Sequence, residues 1–387
     1  MGETSFDYII RKGAGWPPVV RPQPPFSPSS IEVMRSCTLR ILFECSPGYE
    51  PRMGYAARVG TAFHRTLQSF FEQGLPASKE KAIATARFRF EQELRHQHNE
   101  ANSRPREKSQ VRDQVRVDRA LEAILLEAIR YVESGYYPIS YHKDETVKIT
   151  EEEHILPSAQ LPSIEVEIPV KSADGLFHGR IDRVEHTSDG DILFDFKSAL
   201  RDDLPERYER QLQLYALMYK DTRGSWPIAA HVVYPLAGKV YSVSIDPERC
   251  QAVALESAEI VNRLQRGEPI ASLADPGDVC SVCEYRPWCQ PFWNWQAVET
   301  SLPRALEKAI YGFSGSLSRL DLVDHRWHLL ISWRRASIRL STPEERLPHL
   351  RKAQLGQQVL VLDARLKGSP IQPVAIFNEN SELFLVN

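Results

Sequence analysis

From residue 145 to about residue 245 the apolar residues recur with a period of two, and one helical stretch interrupts them. Few folds accommodate that order. Thr146 to Thr150, Ile164 to Val170, Gly175 to His186 and Asp191 to Lys197 read as strands. Ser188-Asp189-Gly190 supplies a tight turn between the last two. A helix is expected from about Pro205 to Tyr219. Strands Ile228 to Tyr234 and Lys239 to Ile245 follow, then a helix over Pro247 to Gln265. A meander, a crossover helix and a further strand imply an α/β class fold, a mixed sheet with helices packed on it.

The flanks differ. Residues 1–26 read as an extended or disordered arm. Ser27-Pro28-Ser29-Ser30 offers a helix N-cap, and Ile31 to Phe43 follows with helical spacing. Gly60 to Gln73 is a second helix, with Phe63, Leu67, Phe70 and Phe71 on one face. Residues 77–134 read as a charged helical insertion with a loop at 97–114. Beyond a linking helix at Ala305 to Tyr311, strand-like runs return over Tyr311–Leu320, Trp327–Trp333, Ala336–Leu340 and Gln358–Leu366. Val374–Phe377 with Leu383–Val386 forms the last. A short helix at Pro343 to Ala353 separates the third run from the fourth. Five strands with that helix predict a small OB-like β-barrel. The chain of 387 residues thus divides into an arm (1–26), a core (27–298) and a tail (299–387).

Net charge is −3, so no global basic field announces a polyanion partner. No apolar run approaches the roughly 20 residues of a membrane span. Residues 1–25 lack the apolar core of a signal peptide, which predicts a cytoplasmic protein with reduced thiols. No phosphate-binding loop of the Walker type is present, so the chain is not itself a helicase motor.

Asp182 and Asp195 lie on neighbouring strands of the hairpin, and Lys197 shares a face with Asp195 because strand side chains alternate. One reading of this trio is a surface salt bridge. The other is chemical. Hard carboxylate oxygens suit Mg²⁺ or Mn²⁺, and such an ion activates water and offsets charge on a phosphate. An adjacent ammonium can orient that water or steady the transition state. The apolar flank Ile192-Leu193-Phe194 and Phe196 makes a purely ornamental ion pair costly to place there. Gln211 and Tyr215, at i and i+4, share one helix face. Cys280, Cys283 and Cys289 fall within ten residues, and C-x-x-C spacing turns two thiolates onto one metal centre. Zinc and an iron-sulfur cluster both suit that spacing. Cys45 is one candidate for a fourth ligand, and Cys250 reads as a small core residue.

Taken in order, these segments resemble the PD-(D/E)XK nuclease superfamily, and within it the RecB-like and AddB-like iron-sulfur branch. Gly179-Arg180-Ile181-Asp182-Arg183 is similar to its "G-x-x-D-R" strand and Asp195-Phe196-Lys197-Ser198 to its "D-x-K-[ST]" strand end. Gln211-Leu212-Gln213-Leu214-Tyr215 is similar to its "Q-x-x-x-Y" helix, and Gly60-Thr61-Ala62-Phe63-His64 to its "G-x-x-x-H" element. The resemblance covers roughly residues 27–298. It implies a restriction-endonuclease-like core and hydrolysis of DNA phosphodiester bonds. His64, Asp182, Asp195 and the Phe196 carbonyl would hold Mn²⁺ or Mg²⁺, with Mn²⁺ favoured by the imidazole. Lys197, Gln211 and Tyr215 would serve water and phosphate. The resemblance also implies that Cys37 joins Cys280, Cys283 and Cys289 around a [4Fe-4S] cluster. Relatives of this kind act in DNA repair, recombination or defence against phage and plasmids, often beside a helicase. The OB-like tail and the iron-sulfur branch together lead us to expect a substrate that is single-stranded DNA or DNA with free ends.

The tail, residues 301–387, carries 12 Lys/Arg against 8 Asp/Glu. Trp327 and Trp333 interleave with Arg334, Arg335 and Arg339, a pattern suited to stacking bases and tracking phosphates. A packing domain with a solvated basic strand gives the same pattern. Two other functional classes stay open at this point. One is a DNA-binding scaffold that docks substrate for a partner complex. The other is a zinc-bearing transcription or RNA factor.

Overall fold

The computed structural model describes residues 9–10, 16–49, 51–103, 106, 113–133, 163–299, 312–369, 371–378 and 380–386. The expected strand Thr146–Thr150 and the linking helix at Ala305 to Tyr311 lie outside the described residues.

Strand β1 (Ile9–Ile10) comes first, then helices α1 (Pro28–Ser36) and α2 (Thr38–Cys45). Ser27 caps α1, its hydroxyl accepting the Ser30 N–H at 3.1 Å. The single helix expected over Ile31 to Phe43 is broken at Cys37, whose backbone is extended (φ −165°, ψ 104°). Hydroxyls flank the break, and the Cys37 N–H still reaches the Val33 carbonyl at 3.0 Å. Ser36 Oγ donates to the Val33 carbonyl at 2.7 Å, and Thr38 Oγ1 donates to the Met34 carbonyl at 3.0 Å. Such side chains compete with the backbone for helical carbonyls.

Helix α3 (Tyr55–Gln73) precedes α4 (Lys79–Ser103) and α5 (Gln114–Glu133). The predicted loop at 97–114 starts too early, because α4 runs on to Ser103. Gln97 and Ala101 are buried there, so packing overrides weak helix formers.

Strands β2 (Ser163–Lys171), β3 (His178–Thr187), β4 (Gly190–Phe196), β5 (Ala229–Tyr234) and β6 (Lys239–Val243) form one sheet in sequence order. All neighbours are antiparallel except β4 and β5. Helix α6 (Glu206–Arg223) makes that crossover, and α7 (Pro247–Gln265) follows β6. Helices cover both faces. Leu193 and Val232 join Ile31, Leu39, Leu212, Met218 and Val253 in one core layer. Phe194, Phe196 and Val233 join Val59, Phe63, Phe70 and Ile124 in the other. Helices α1, α2, α6 and α7 thus face α3 and α5 across the sheet. The described part of the arm is not free. Val20 N–H donates to Ser46 Oγ at 3.0 Å, and Arg21 donates to the Leu264 carbonyl at 2.8 Å.

A turn region containing Cys280, Cys283 and Cys289 leads into α8 (Gln290–Glu299). The tail supplies β7 (Gly312–Val323), β8 (Arg326–Trp333), β9 (Ala336–Pro343), β10 (Gln358–Leu362), β11 (Arg365–Gly368), β12 (Pro373–Ile376) and β13 (Glu382–Val386). This corrects the five-strand barrel. Seven tail strands join β1 in one sheet, ordered β1-β13-β10-β7-β8-β9-β12-β11, and the described ladder does not close on itself. The expected strand Gln358–Leu366 is divided at Asp363, where φ is +54°. That left-handed residue redirects the chain, so β10 pairs with β7 while β11 pairs with β12. The helix expected at Pro343 to Ala353 is two 3₁₀ turns. Trp327 and Trp333 are 5% and 6% exposed, with Leu329 and Ile331 on the same inner face of β8. They are core residues, so the expected base-stacking surface is absent from these positions.

Cations lock the tail to the core. Arg106, from the segment between α4 and α5, meets both oxygens of Glu382 at 3.0 and 2.9 Å and donates to the Glu284 carbonyl at 2.9 Å. Its guanidinium also lies 5.2 Å from the Trp288 ring centre and 5.6 Å from that of Phe384. Arg286 clasps Asp363 through two bonds of 2.7 Å. Arg106→Ala leaves the buried Glu382 carboxylate only its longer pair with Arg52, at 3.8 Å, and losing the main partner of a buried charge costs on the order of 3 kcal/mol. Chemical denaturation should show the loss, and an unchanged midpoint would contradict this account.

Candidate active site

The β3–β4 hairpin sets the site. Arg183 pairs with Phe194, so Asp182 and Asp195 stand opposite at the next step. Asp182 Oδ2 accepts the Phe196 N–H at 2.7 Å. On the other side of β3 the pairs Val166–Arg183 and Ile168–Ile181 place Glu167 opposite Asp182. Glu167 has a left-handed backbone (φ +52°). Three carboxylates therefore form a row across β2, β3 and β4.

Such a row is electrostatically costly, and the protonation equilibria show it. Burial, and then the charge of Asp195, push the Asp182 carboxyl up to about 7. Burial also raises Glu167. Lys197 answers the row directly: its Nζ lies 3.0 and 2.8 Å from the two oxygens of Asp195. Burial alone would lower the lysine, but the Asp195 charge and hydrogen bond outweigh it and raise it. Lys197 is thus a fixed cation at neutral pH. Its Nζ also sits 4.9 Å from the ring centre of Tyr208.

Two glycines bring the helices onto this row. A Cβ at Gly60 of α3 would meet Ser198 Oγ at 2.2 Å. A Cβ at Gly179 of β3 would meet the Tyr215 ring at 2.7 Å and Pro28 at 3.3 Å. Gly60 therefore seats α3, with His64 one turn on, against the segment that follows Lys197. Gly179 seats Tyr215 of α6 over β3. Each glycine admits a residue from a different sequence segment, so the four segments interlock.

His64, Asp182 and Phe196 line two adjoining cavities, an open cleft of about 910 Å³ and a second pocket of about 210 Å³. Asp195, Lys197, Gln211 and Tyr215 line the open cleft. Burial lowers His64, favouring the neutral imidazole a metal requires. Burial, then the Asp195 charge, raise the Tyr215 hydroxyl, keeping it protonated. Gln211 is 6% exposed, and its Oε1 has no hydrogen-bond partner among the described residues. Among the described residues no three His, Cys, Asp or Glu side chains converge closely enough to hold a metal ion as they stand.

The remaining predicted residues gather elsewhere. Cys37, Cys280, Cys283 and Cys289 line one small cavity of about 20 Å³, walled by Leu39, Phe43 and Phe292. The extended backbone at Cys37 lies between α1 and α2, on that cavity's edge. Burial raises Cys280 and pushes Cys283 up to about 12. Cys45 is exposed and does not line the cavity, whereas Cys250 is buried in the α7 core.

Sequence reasoning missed Glu167, Tyr208 and Arg116. Glu167 carried a partial signal, an acid inside the run Ile164 to Val170, but its left-handed backbone takes it out of simple alternation and into the pocket with Ile164 and Val166. Tyr208 and Arg116 carried no local signal, since their roles depend on other elements. Gly179→Ala should push Tyr215 off the row, destabilising the fold by about 1–3 kcal/mol through overpacking. Thermal denaturation checks the cost, and wild-type stability in this variant would refute the interlock.

Comparison with known proteins bears on this site. The family model of the PD-(D/E)XK nuclease superfamily matches residues 25–290. No curated protein matches the sequence. Two solved structures show weak likeness. One, titled "Crystal structure of SSO0001", is 11% identical with a TM-score of 0.27, covering 68% of this chain and 95% of that one. The other, titled "Structural mimicry for functional antagonism", is 10% identical with a TM-score of 0.18, covering 57% and 89%. Neither likeness is close enough to bear on fold or function. The family match, by contrast, spans the carboxylate row, Lys197, the α6 face and the cysteines, and the chain belongs to the PD-(D/E)XK nuclease superfamily.

Proposed function

We propose that this protein is a metal-dependent deoxyribonuclease that hydrolyses phosphodiester bonds in the open cleft. The observation that carries the reading is the carboxylate row with Lys197 bound to its end, placed where two cavities meet. His64, Asp182, Asp195 and the Phe196 carbonyl would hold Mn²⁺ or Mg²⁺, and Glu167 adds a carboxylate beside them. A bound divalent ion would lower the pKa of water and offset charge on the phosphate.

The chain's own groups do the rest. Lys197 stays cationic, so it orients water or steadies the charged transition state and does not accept the proton. Gln211 has an unclaimed oxygen and Tyr215 a protonated hydroxyl, both lining the cleft, where they can hold the phosphate or the attacking water. Attack by water forms one P–O bond and breaks another, and the proton that the water loses is balanced by the one that the leaving oxygen gains, giving a terminal phosphate and a hydroxyl.

The four cysteines support a [4Fe-4S] cluster in the manner of the RecB-like and AddB-like branch. The donor set is all thiol and the wall is apolar, which suits soft metals. Four thiols around one cavity supply the donors that either zinc or a cluster needs, and the resemblance chooses the cluster. The cluster's role would be to staple α1 and α2 to the 280–289 turn. A preference for single strands or free ends, and a place beside a helicase or in defence, rest on the resemblance alone, since the tail tryptophans are core. The described residues include no helix long and apolar enough to cross a membrane.

The second reading is a scaffold that docks DNA without cutting it. The intact row and its lysine favour the enzyme. Purified protein with Mn²⁺ and end-labelled single-stranded, duplex and circular DNA decides between them. Asp195→Ala and Lys197→Ala should each lose about 10²–10³-fold in rate. Undiminished cleavage by either variant would reject the assigned site, and inactive wild type would favour the scaffold.

Protons compete with the metal, because the Asp182 carboxyl is held protonated up to about pH 7. A carboxylate raised in the folded state stabilises the metal-free protein at low pH, and that contribution fades as pH rises from about 4 to 7. Mn²⁺ should therefore raise the melting temperature more at pH 8 than at pH 6. An equal shift at both values would contradict the proton competition.

A further inference from the structure

We infer that Arg116, contributed by the helical insertion, binds a phosphate of the substrate backbone next to the scissile one. The inference rests on the nuclease reading above and identifies a binding residue in its cleft.

Arg116 stands in the first turn of α5, outside the four sequence segments that build the row. Its side chain nevertheless lines the same cleft as Asp182, Lys197, Gln211 and Tyr215. Two contacts fix its direction. One guanidinium N–H donates to the Ser198 carbonyl at 3.1 Å, one residue beyond Lys197. The Nε donates to Asp113 at 3.2 Å. Asp113 is itself the cap of α5, accepting the Arg116 backbone N–H at 3.0 Å. The second amino group of the fork, Nη2, has no hydrogen-bond partner among the described residues.

Charge points the same way. The cleft is lined by Arg116, Lys197, Arg201 and Arg207 against Asp182 and Asp195. Lys197 is committed to Asp195, whereas Arg201 pairs with Asp203 at 2.8 and 2.7 Å with both side chains largely exposed. Arg207 lies on the Tyr208 ring at 4.7 Å. Arg116 is tied to a backbone carbonyl of the segment after Lys197, and its ion pair with Asp113 is partly exposed and weak. A guanidinium fork with one arm fastened and one arm free matches a phosphate's oxygens. Ser198 is also the residue whose hydroxyl fills the space at Gly60, so the segment after Lys197 is gripped by α3 and α5 together. The insertion therefore forms a wall of the substrate cleft.

The test uses the full chain and a fluorescein-labelled oligodeoxythymidylate, with Ca²⁺ replacing Mn²⁺ for binding and Mn²⁺ present for turnover. Arg116→Gln keeps a donor for the Ser198 carbonyl and removes the charge. Its affinity should fall about tenfold, the scale of one charge-assisted hydrogen bond. The slope of log K against log salt should become shallower by about 0.7, the value for one phosphate on a single strand. KM should rise with kcat near wild type. Arg116→Lys should restore the slope but leave KM raised, because the fork is lost. A Gln variant with wild-type slope and KM, in a protein that cleaves, overturns the inference and leaves the nuclease reading standing. If the Gln variant fails to fold, an unchanged KM in Arg116→Lys overturns it. Wild type that neither binds nor cuts the oligonucleotide removes the nuclease reading and this inference together.

Discussion

Everything at the centre of this molecule answers one constraint: Glu167, Asp182 and Asp195 stand side by side on three adjacent strands. Like charges so placed repel, and partial burial sharpens the repulsion. The chain offsets this locally. The Phe196 N–H donates to Asp182 and the Lys197 ammonium contacts Asp195. Asp182 still holds its proton up to about 7. A row of this kind does not add to the stability of the fold, which is what makes it the centre of the function proposed above. A divalent cation, bound as proposed above, would relieve the same repulsion.

The helices are arranged to reach that row. Gly60 and Gly179 remove side chains where Ser198 and Tyr215 must lie. The row crosses the middle of β3 and the end of β4, and β5 returns parallel to β4 after the α6 crossover. That crossover places Gln211 and Tyr215 above the strand ends, where open α/β sheets commonly form their clefts. Helix α5 then closes one side through Arg116.

A second joint holds the outer parts together. The cysteine turn lies between the core and the tail, with Cys280 packed beside Phe292, Leu360, Leu362 and Phe384. Arg106 and Arg286 cross the same boundary through paired bonds to Glu382 and Asp363. The insertion, the cysteine turn and the tail meet at Arg106, and Val282 of that turn also reaches the cleft. Order at the cysteines and order at the cleft are therefore physically continuous.

The sequence by itself determined the mixed sheet, the hairpin and the placement of Asp182, Asp195 and Lys197, because periodicity and turn chemistry are local. It also marked Gln211 and Tyr215 as one helix face. The tertiary structure decided what depends on distant partners. Trp327 and Trp333 have the composition of a binding surface, but alternation turns them inward once β8 has neighbours on both sides. Cys37 leaves helical geometry between two helices, its own N–H still bonded to the Val33 carbonyl while flanking hydroxyls share the neighbouring carbonyls. Asp363 divides a continuous apolar run by adopting a left-handed backbone. Glu167 and Arg116 became members of the site only when β2 and α5 were laid beside β3 and Ser198. Sequence spacing records which residues share a strand or helix face; which faces meet is decided by packing across the whole chain.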